Sequence, residues 1–253
     1  VRFTAGQLQP TFAWTTNRTI YPSGNAQVST GDFDVVWNGP VLGSGRLIKY
    51  GSGVLTIRDA DEYSGNALVQ EGLLVIEGSF AGGAFTNSAG SIAGNGTWDG
   101  DISGSGTVAP GPGVATLTAR NVTLTTLALE ILSPTEYDRL VVRGAFEIAG
   151  TAHLQLTLGY DPLDEVHSFL LVDNDGTDAI IGAEPRHFRF QGNELSEGET
   201  FFVGSQAMRI SYFGGDGNDL VIFAVPEPTS LTLAIAVLPL LAARRRHRMR
   251  QAP

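Results

Sequence analysis

From Leu47 to Ile76 the chain alternates apolar and polar residues in short runs, and glycines punctuate the runs. Leu55 and Ile57 alternate with Val54 and Thr56, which is the two-residue period of a half-buried strand. A strand is predicted at 67–70, and Gly72 introduces another at 73–76. Tyr63-Ser64-Gly65 reads as a turn that leads into the first of these. Leu55 and Leu74 stand nineteen positions apart, and a repeat on the order of 20 residues is the mark of stacked coils. Gly-Asn-Gly at 94–96 and Gly-Ser-Gly at 104–106 continue the punctuation with weaker strands.

The second half is also predicted to be β. Val122 and Leu124 alternate, and Leu127, Leu129 and Ile131 resume after a one-residue shift at Thr125-Thr126, which predicts a bulge. Leu154, Leu156 and Leu158 are expected to face inward, with His153, Gln155 and Thr157 outward. Further strands are predicted at 168–172, 188–190, 208–213 and 219–225, with no amphipathic helix before Thr229. The pattern divides the chain into a solenoid region at 1–113, a β-rich stretch at 114–224 and a tail at 225–253. It leaves open whether 114–224 continues the coil or forms a sandwich.

The tail has three parts. Pro226, Glu227 and Pro228, in the linker 225–228, are stiff and extended, since each ring fixes φ and removes a donor. An apolar helix is expected at 229–243, built on Leu231, Leu233, Ile235, Val237, Leu238, Leu240 and Leu241. The basic end, 244–253, carries Arg244, Arg245, Arg246, Arg248 and Arg250. Basic residues beside an apolar segment stay on the cytoplasmic side and hold the body on the other. The apolar run is shorter than the ~20 residues of a full span, but flanking arginines can snorkel and a membrane tolerates the kink at Pro239. The alternative is a buried C-terminal helix with a solvated basic end.

Composition sharpens this picture. Gly supplies 32 residues and hydrophobic side chains 42%, enough for tight turns and a real core, and there is no Cys for a disulfide or a thiolate site. Five of the 16 basic residues are the tail arginines, so 11 basic residues face 26 acidic ones elsewhere. An acidic body excludes nucleic acid as partner and suits a surface domain with weak calcium association. Val-Arg-Phe-Thr at the start shows neither an initiator Met nor a signal peptide. Export therefore predicts an N-terminus that is truncated or misassigned.

Two resemblances follow from these residues. Val225-Pro226-Glu227-Pro228, the apolar helix and Arg244-Arg245-Arg246-His247-Arg248 resemble the PEP-CTERM sorting domain of environmental Gram-negative and related bacteria. That likeness implies an exosortase as partner, acting near Pro226-Glu227-Pro228, and a helix that is removed or serves as a transient anchor. Residues 43–78 resemble the autotransporter-associated β-strand repeat. The matched positions are Gly43, Ser44, Gly45, Leu47, Lys49, Gly51, Gly53 and Leu55, then Tyr63, Ser64 and Gly65, then Gly72, Leu74 and Ile76. The likeness implies a right-handed parallel β-helix in a secreted passenger, with Lys49, the single lysine of the chain, where that family places one. Val108-Ala109-Pro110-Gly111, with Gly113 and Thr116-Leu117, resembles the segment that ends such helices. Autotransporters finish with a membrane β-barrel, for which this sequence has no run of long alternating strands. The sorting tail stands in its place.

The candidate chemistry is sparse. Gly214 to Ile222 fits the calcium nonapeptide pattern, making Asp216 and Asp219 candidate ligands, although one copy offers half a shared site and also reads as a turn into a last strand. The run from Asp173 to Asp178 is acidic but lacks EF-hand spacing. Asp59, Asp61 and Glu62 fall in a predicted coil corner, the place where a glycan-cleaving β-helix would keep acids. His153, His167, His187 and His247 show neither metal spacing nor a nucleophile motif. Trp14, Trp37 and Trp98 suit a core or sugar stacking. The expectation is an all-β protein, a right-handed parallel β-helix with a β-rich second half and one short C-terminal transmembrane helix. It is exported and anchored as a precursor, then placed at the cell surface or in the extracellular matrix in a structural role. It is expected not to be an enzyme, to use no cofactor and to bind no metal. The alternatives are an adhesin or polysaccharide-binding module, with extracellular polysaccharide as partner, and a glycan-cleaving β-helix enzyme.

Overall fold

A strand of three to five residues is too short to hold a partner by itself, so it persists only when stacked between identical neighbours. The computed structural model describes residues 1–4, 6–160, 167–175, 178–182 and 187–225. Coil by coil the strands are β1 (Arg2–Thr4), β2 (Gln7–Leu8) and β3 (Trp14–Thr16), then β4 (Tyr21–Ser23), β5 (Asn25–Ser29) and β6 (Val35–Trp37). There follow β7 (Arg46–Tyr50) and β8 (Val54–Ile57), then β9 (Ala67–Val69) and β10 (Leu73–Ile76). Next come β11 (Ser79–Phe80), β12 (Phe85–Asn87) and β13 (Ser91–Gly94), and then β14 (Thr97–Trp98), β15 (Ile102–Gly104) and β16 (Thr107–Pro110). The strands then lengthen, with β17 (Thr116–Ala119), β18 (Val122–Ile131), β19 (Arg139–Val142), β20 (Phe146–Leu158) and β21 (Ser168–Asn174). The last are β22 (Phe188–Phe190), β23 (Asn193–Glu194), β24 (Thr200–Val203), β25 (Gln206–Gly214) and β26 (Asp219–Ala224).

The stacking makes three walls. One runs β2, β5, β7, β9, β12, β15 and the first part of β18; a second runs β3, β6, β8, β10, β13, β16 and the rest of β18. The third begins in the single bridges Ile20–Val41, Gly43–Tyr63 and Ala60–Phe80 and continues through β11, β14, β17, β19 and β21. Every pairing in these walls is parallel, and the chain winds as a β-solenoid of about seven turns. Among the described residues there is no helix. Leu55 pairs with Leu74, and the bulge expected near Thr125 is the register shift between Leu124 and Thr126 where β18 meets β20.

Two expectations are corrected. The segment at 108–117 does not end the coil: Val108 pairs with Leu127 and Leu117 with Leu140. Pro110 lacks a donor, but Gly111 N donates to Gly94 O at 3.1 Å, so coil-to-coil bonding passes the proline. The walls therefore run on into the second half. The parallel order stops at β22, after which β21–β26–β25–β24 form an antiparallel cap and β22–β23 a hairpin. The turn expected at 63–65 is centred earlier, on Asp61-Glu62, with Tyr63 N donating to Ala60 O at 3.0 Å and the Tyr63 ring buried in the core.

Inward residues of successive coils stack into one column. Phe80 lies flat on Trp98 with ring centroids 4.2 Å apart, while Tyr63 and Phe85 meet the pair edge-on at 5.2 and 4.4 Å. The polar heads of these rings bond to the backbone of the coil before: Trp98 Nε1 donates to Gly83 O at 3.0 Å, and Tyr63 Oη is 2.5 Å from Gly45 O. Trp37 and Trp98 are fully enclosed, so neither offers a face to a sugar. That removes the aromatic footing of the polysaccharide-binding alternative at those two positions.

Lys49 is buried too. Its ammonium donates to Tyr50 O, Gly51 O and Glu71 O at 2.9, 2.6 and 3.1 Å. The corner needs glycine at Gly51 and Gly72, whose φ values are +79° and +71°, and a Cβ on Gly72 would meet Nζ at 2.8 Å. The lysine gathers carbonyls of two adjacent coils at the corner, where Tyr50 O also accepts from Thr30 N at 3.0 Å. Burial pulls its pKa down from 10.5 to about 8, against the opposing pull of the Glu71 carboxylate.

Phe80→Ala is expected to lower unfolding free energy by about 3–5 kcal/mol, as truncation of an enclosed aromatic does, whereas exposed Phe12→Ala changes it by less than about 0.5 kcal/mol; denaturant titrations measure both. For Lys49, the unfolded chain holds a proton between about 8 and 10.5 that the folded chain has released. Stability therefore rises with pH through that window. The rise is expected in wild type and absent in Lys49→Met when midpoints are compared from about pH 7 to 9.5, before unfolded tyrosines ionise near 10.

Candidate functional site

The solenoid walls present small and polar side chains outward, as β20 does with exposed His153, Gln155 and Thr157 against enclosed Leu154 and Leu156. The antiparallel cap departs from this habit. Its inner face packs Phe201, Met208, Ile210, Tyr212, Leu220 and Ile222 onto the end of the coil. Tyr212 ties it down, its hydroxyl donating to Leu195 O at 2.8 Å and accepting from Phe188 N at 3.0 Å. Burial pushes that phenol well above its usual range.

On the outer face, pairing fixes which side chains are neighbours. Phe202 stands opposite Ala207, and Val225 N bonds to Ala207 O at 2.9 Å, so these three make one row. Thr200, Arg209, Phe223 and Ser168 make the next, and Ser211, Val221 and Leu170 the third, with Phe213 beyond Ser211 on the same alternation. Phe202 is 60% exposed and Phe213 54%. Arg209 is the one ionisable side chain on these rows, and its guanidinium carbon lies 5.3 Å from the Phe223 ring centre. The described chain leaves this face at Val225, whose carbonyl accepts from Gln206 Nε2 at 3.0 Å. Alternation alone did not reveal the face, because an apolar residue at every position of Phe201-Phe202-Val203 hides which side is outward.

The calcium candidates fall in the turn between β25 and β26. Asp219 is buried, with Oδ1 accepting from Asn174 N at 2.8 Å, while Asp216 is exposed. Burial raises the Asp219 pKa, with the Asp173 and Asp216 charges adding to the effect and the backbone donors of Asn174 and Asp216 opposing it. Asn174 and Asn218 both donate to Asp178 O, at 2.7 and 2.9 Å, so the acidic run 173–178 and the turn lock one another. Among the described residues no group of three acids or histidines is placed to hold a metal ion.

The remaining candidates lie apart. Asp59, Asp61 and Glu62 occupy the corner between β8 and β9, with Asp61 and Glu62 exposed. His187 Nδ1 is 3.0 Å from Glu194 Oε1, and that contact holds Glu194 below the usual carboxylate range. Asp138, which the sequence did not single out, is buried and accepts from Ala115 N and Glu130 N at 2.9 and 2.8 Å; burial pushes it up to about 6. Pro226, Glu227, Pro228, the apolar run 229–243 and the tail arginines lie outside the described residues. Among the described residues no helix is long and apolar enough to cross a membrane.

No family model matches the chain. It is 27% identical over 184 residues to an extracellular serine protease of Serratia marcescens, a match covering 65% of this chain and 18% of that protein. It is 28% identical over 155 residues to a second extracellular serine protease of that organism, covering 58% of this chain and 14% of the other. The chain thus matches less than a fifth of either relative's length. The expectation that the protein is not an enzyme is overturned by these matches, since both relatives bear the name of an enzyme. Their extracellular address agrees with export, and what the chain is similar to is a part of an extracellular serine protease.

Proposed function

We propose that this protein is an exported bacterial surface protein whose solenoid, coiled right-handedly, serves as a structural arm of the cell envelope or extracellular matrix. An exosortase recognises Pro226-Glu227-Pro228, the helix 229–243 holds the precursor in the membrane and the arginines from Arg244 to Arg250 stay on the cytoplasmic side. The observation that carries this reading is the order of the tail, stiff linker then apolar run then arginine cluster, following directly on a closed acidic β-solenoid. Two extracellular relatives support the address. A solenoid suits the role because each coil contacts only its neighbours and length adds reach without a larger core.

The relatives' name favours a second reading, in which the solenoid belongs to a proteolytic protein and carries a serine-protease unit away from the surface. Two experiments separate the possibilities. Deleting 226–253 in the native host is expected to move the protein from the membrane and surface fractions to the soluble exported fraction; an unchanged distribution refutes the sorting reading. Labelling of the full chain by a fluorophosphonate probe, blocked by prior treatment with phenylmethylsulfonyl fluoride, is the result expected of the proteolytic reading.

A further inference from the structure

We propose that the outer face of the cap sheet β21–β26–β25–β24 is a membrane-contact surface that lies on the headgroup layer of the bilayer holding the tail. The inference rests on the anchored-precursor reading and adds to it a second, folded contact with the same membrane.

Three observations converge on a lipid surface rather than a sugar or a protein. The first is chemistry: Phe202 and Phe213 are more than half exposed, and half-buried Phe223 and Leu170 extend the apolar surface across the neighbouring strands β26 and β21. These side chains carry no hydrogen-bonding group with which to orient a glycan. They suit the boundary between headgroups and acyl chains, where aromatic residues gather. The second is charge: the one ionisable group on the three rows around Phe202 and Phe223 is Arg209, a cation in an acidic body, placed where a lipid phosphate would lie. Its guanidinium already rests on the Phe223 ring, so its stem and the ring form one amphipathic unit.

The third is position. The described chain ends at Val225, in the same row as Phe202 and Ala207, and the 28 residues beyond it include the apolar run 229–243. Only the linker to Pro228 and Thr229 separates the face from that run. An extended residue reaches about 3.3–3.6 Å, so the linker keeps the cap within roughly 15 Å of the point where the run would enter the bilayer. A face held there meets lipid at high effective concentration, and a weak contact suffices. Exposed Phe12 and Phe33 lie at the N-terminal end of the coil, away from the linker at Val225.

The absence of cysteine makes the test direct. Full-length single-cysteine variants Thr200→Cys, on the face, and Ala89→Cys, on an exposed corner of a distant coil, are labelled with an environment-sensitive fluorophore. They are reconstituted with vesicles of equal parts phosphatidylglycerol and phosphatidylcholine, some bearing nitroxide-labelled acyl chains. The expected result is flotation with the vesicles, a blue shift and nitroxide quenching at position 200, and neither change at position 89. Adding Phe202→Ser and Phe213→Ser is expected to abolish the shift at 200 while flotation persists. A chain that floats with position 200 as water-exposed as position 89 overturns the contact face and leaves the anchor standing. A chain that fails to float overturns both.

Discussion

The strand hydrogen bonds of the solenoid run between coils rather than within them, and the rest of its construction follows from that. A two- or three-residue strand such as β11 or β14 satisfies its amides and carbonyls only because the next coil repeats it in register. Repetition in register puts like residues above like, so the inward positions build one continuous column of which the Tyr63, Phe80 and Trp98 rings are part. Corners are where this logic fails. There the chain turns, carbonyls swing away from the ladder, and successive backbones come close enough that a Cβ on Gly65 would run into Gly45 O.

Polar side chains repair the corners. Lys49 collects three carbonyls from two coils, and Asp138 collects two amides, one from Ala115 just before β17 and one from Glu130 near the end of β18. Asn66 and Asn121 each present Oδ1 to the backbone N–H of the following coil, at Ala84 and Ala145, both at 2.9 Å. Each bond satisfies a backbone group at a bend, and for buried Lys49 and Asp138 this offsets the cost of taking the side chain out of water. Lys49 and Asp138 show that the offset is incomplete, since burial has moved both toward their neutral forms. A chain without disulfides is thus stitched by side chain to backbone bonds at its bends.

The sequence made the coil legible where alternation was clean. At Leu55 and Ile57, at Leu74 and Ile76, and at Leu154 and Leu156 the period of two gives both strand and inward face, and the coil length follows from the offset between them. Legibility failed where local chemistry imitated something else. Tyr63 stands before Ser64-Gly65 and so looked like a turn, although its ring is part of the core. Pro110-Gly111 imitated a terminus because proline usually ends a ladder, and nothing local shows that Gly111 restores the bonding. Trp37 and Trp98 were ambiguous between core and sugar platform, Trp37 because Val36 beside it is also apolar and Trp98 because its two-residue strand is too short to show a period. The cap face was invisible for a related reason: Phe201-Phe202-Val203 is apolar throughout, and only the pairing of β24 with β25 and the burial of Phe201 against exposed Phe202 show which side is outward.

The same one-dimensional construction limits what likeness between solenoids can say. Coils of any two such proteins share small residues at corners and aliphatic residues on inward faces, because stacking demands both. A match at 27% identity covering 65% of this chain but 18% of its relative is what shared construction produces, whichever chemistry the rest of the relative performs. Whatever distinguishes one solenoid protein from another must lie where repetition stops. Here it stops at the cap, with its outward phenylalanines and single arginine, and the sequence beyond it turns from acidic to arginine-rich. The cap carries the first feature and the sequence directly after it the second, so a surface that met lipid there would give the coil a second point of attachment and a fixed tilt. An arm fixed at its base projects its acidic walls outward along its full length, which a flexibly tethered coil would not do.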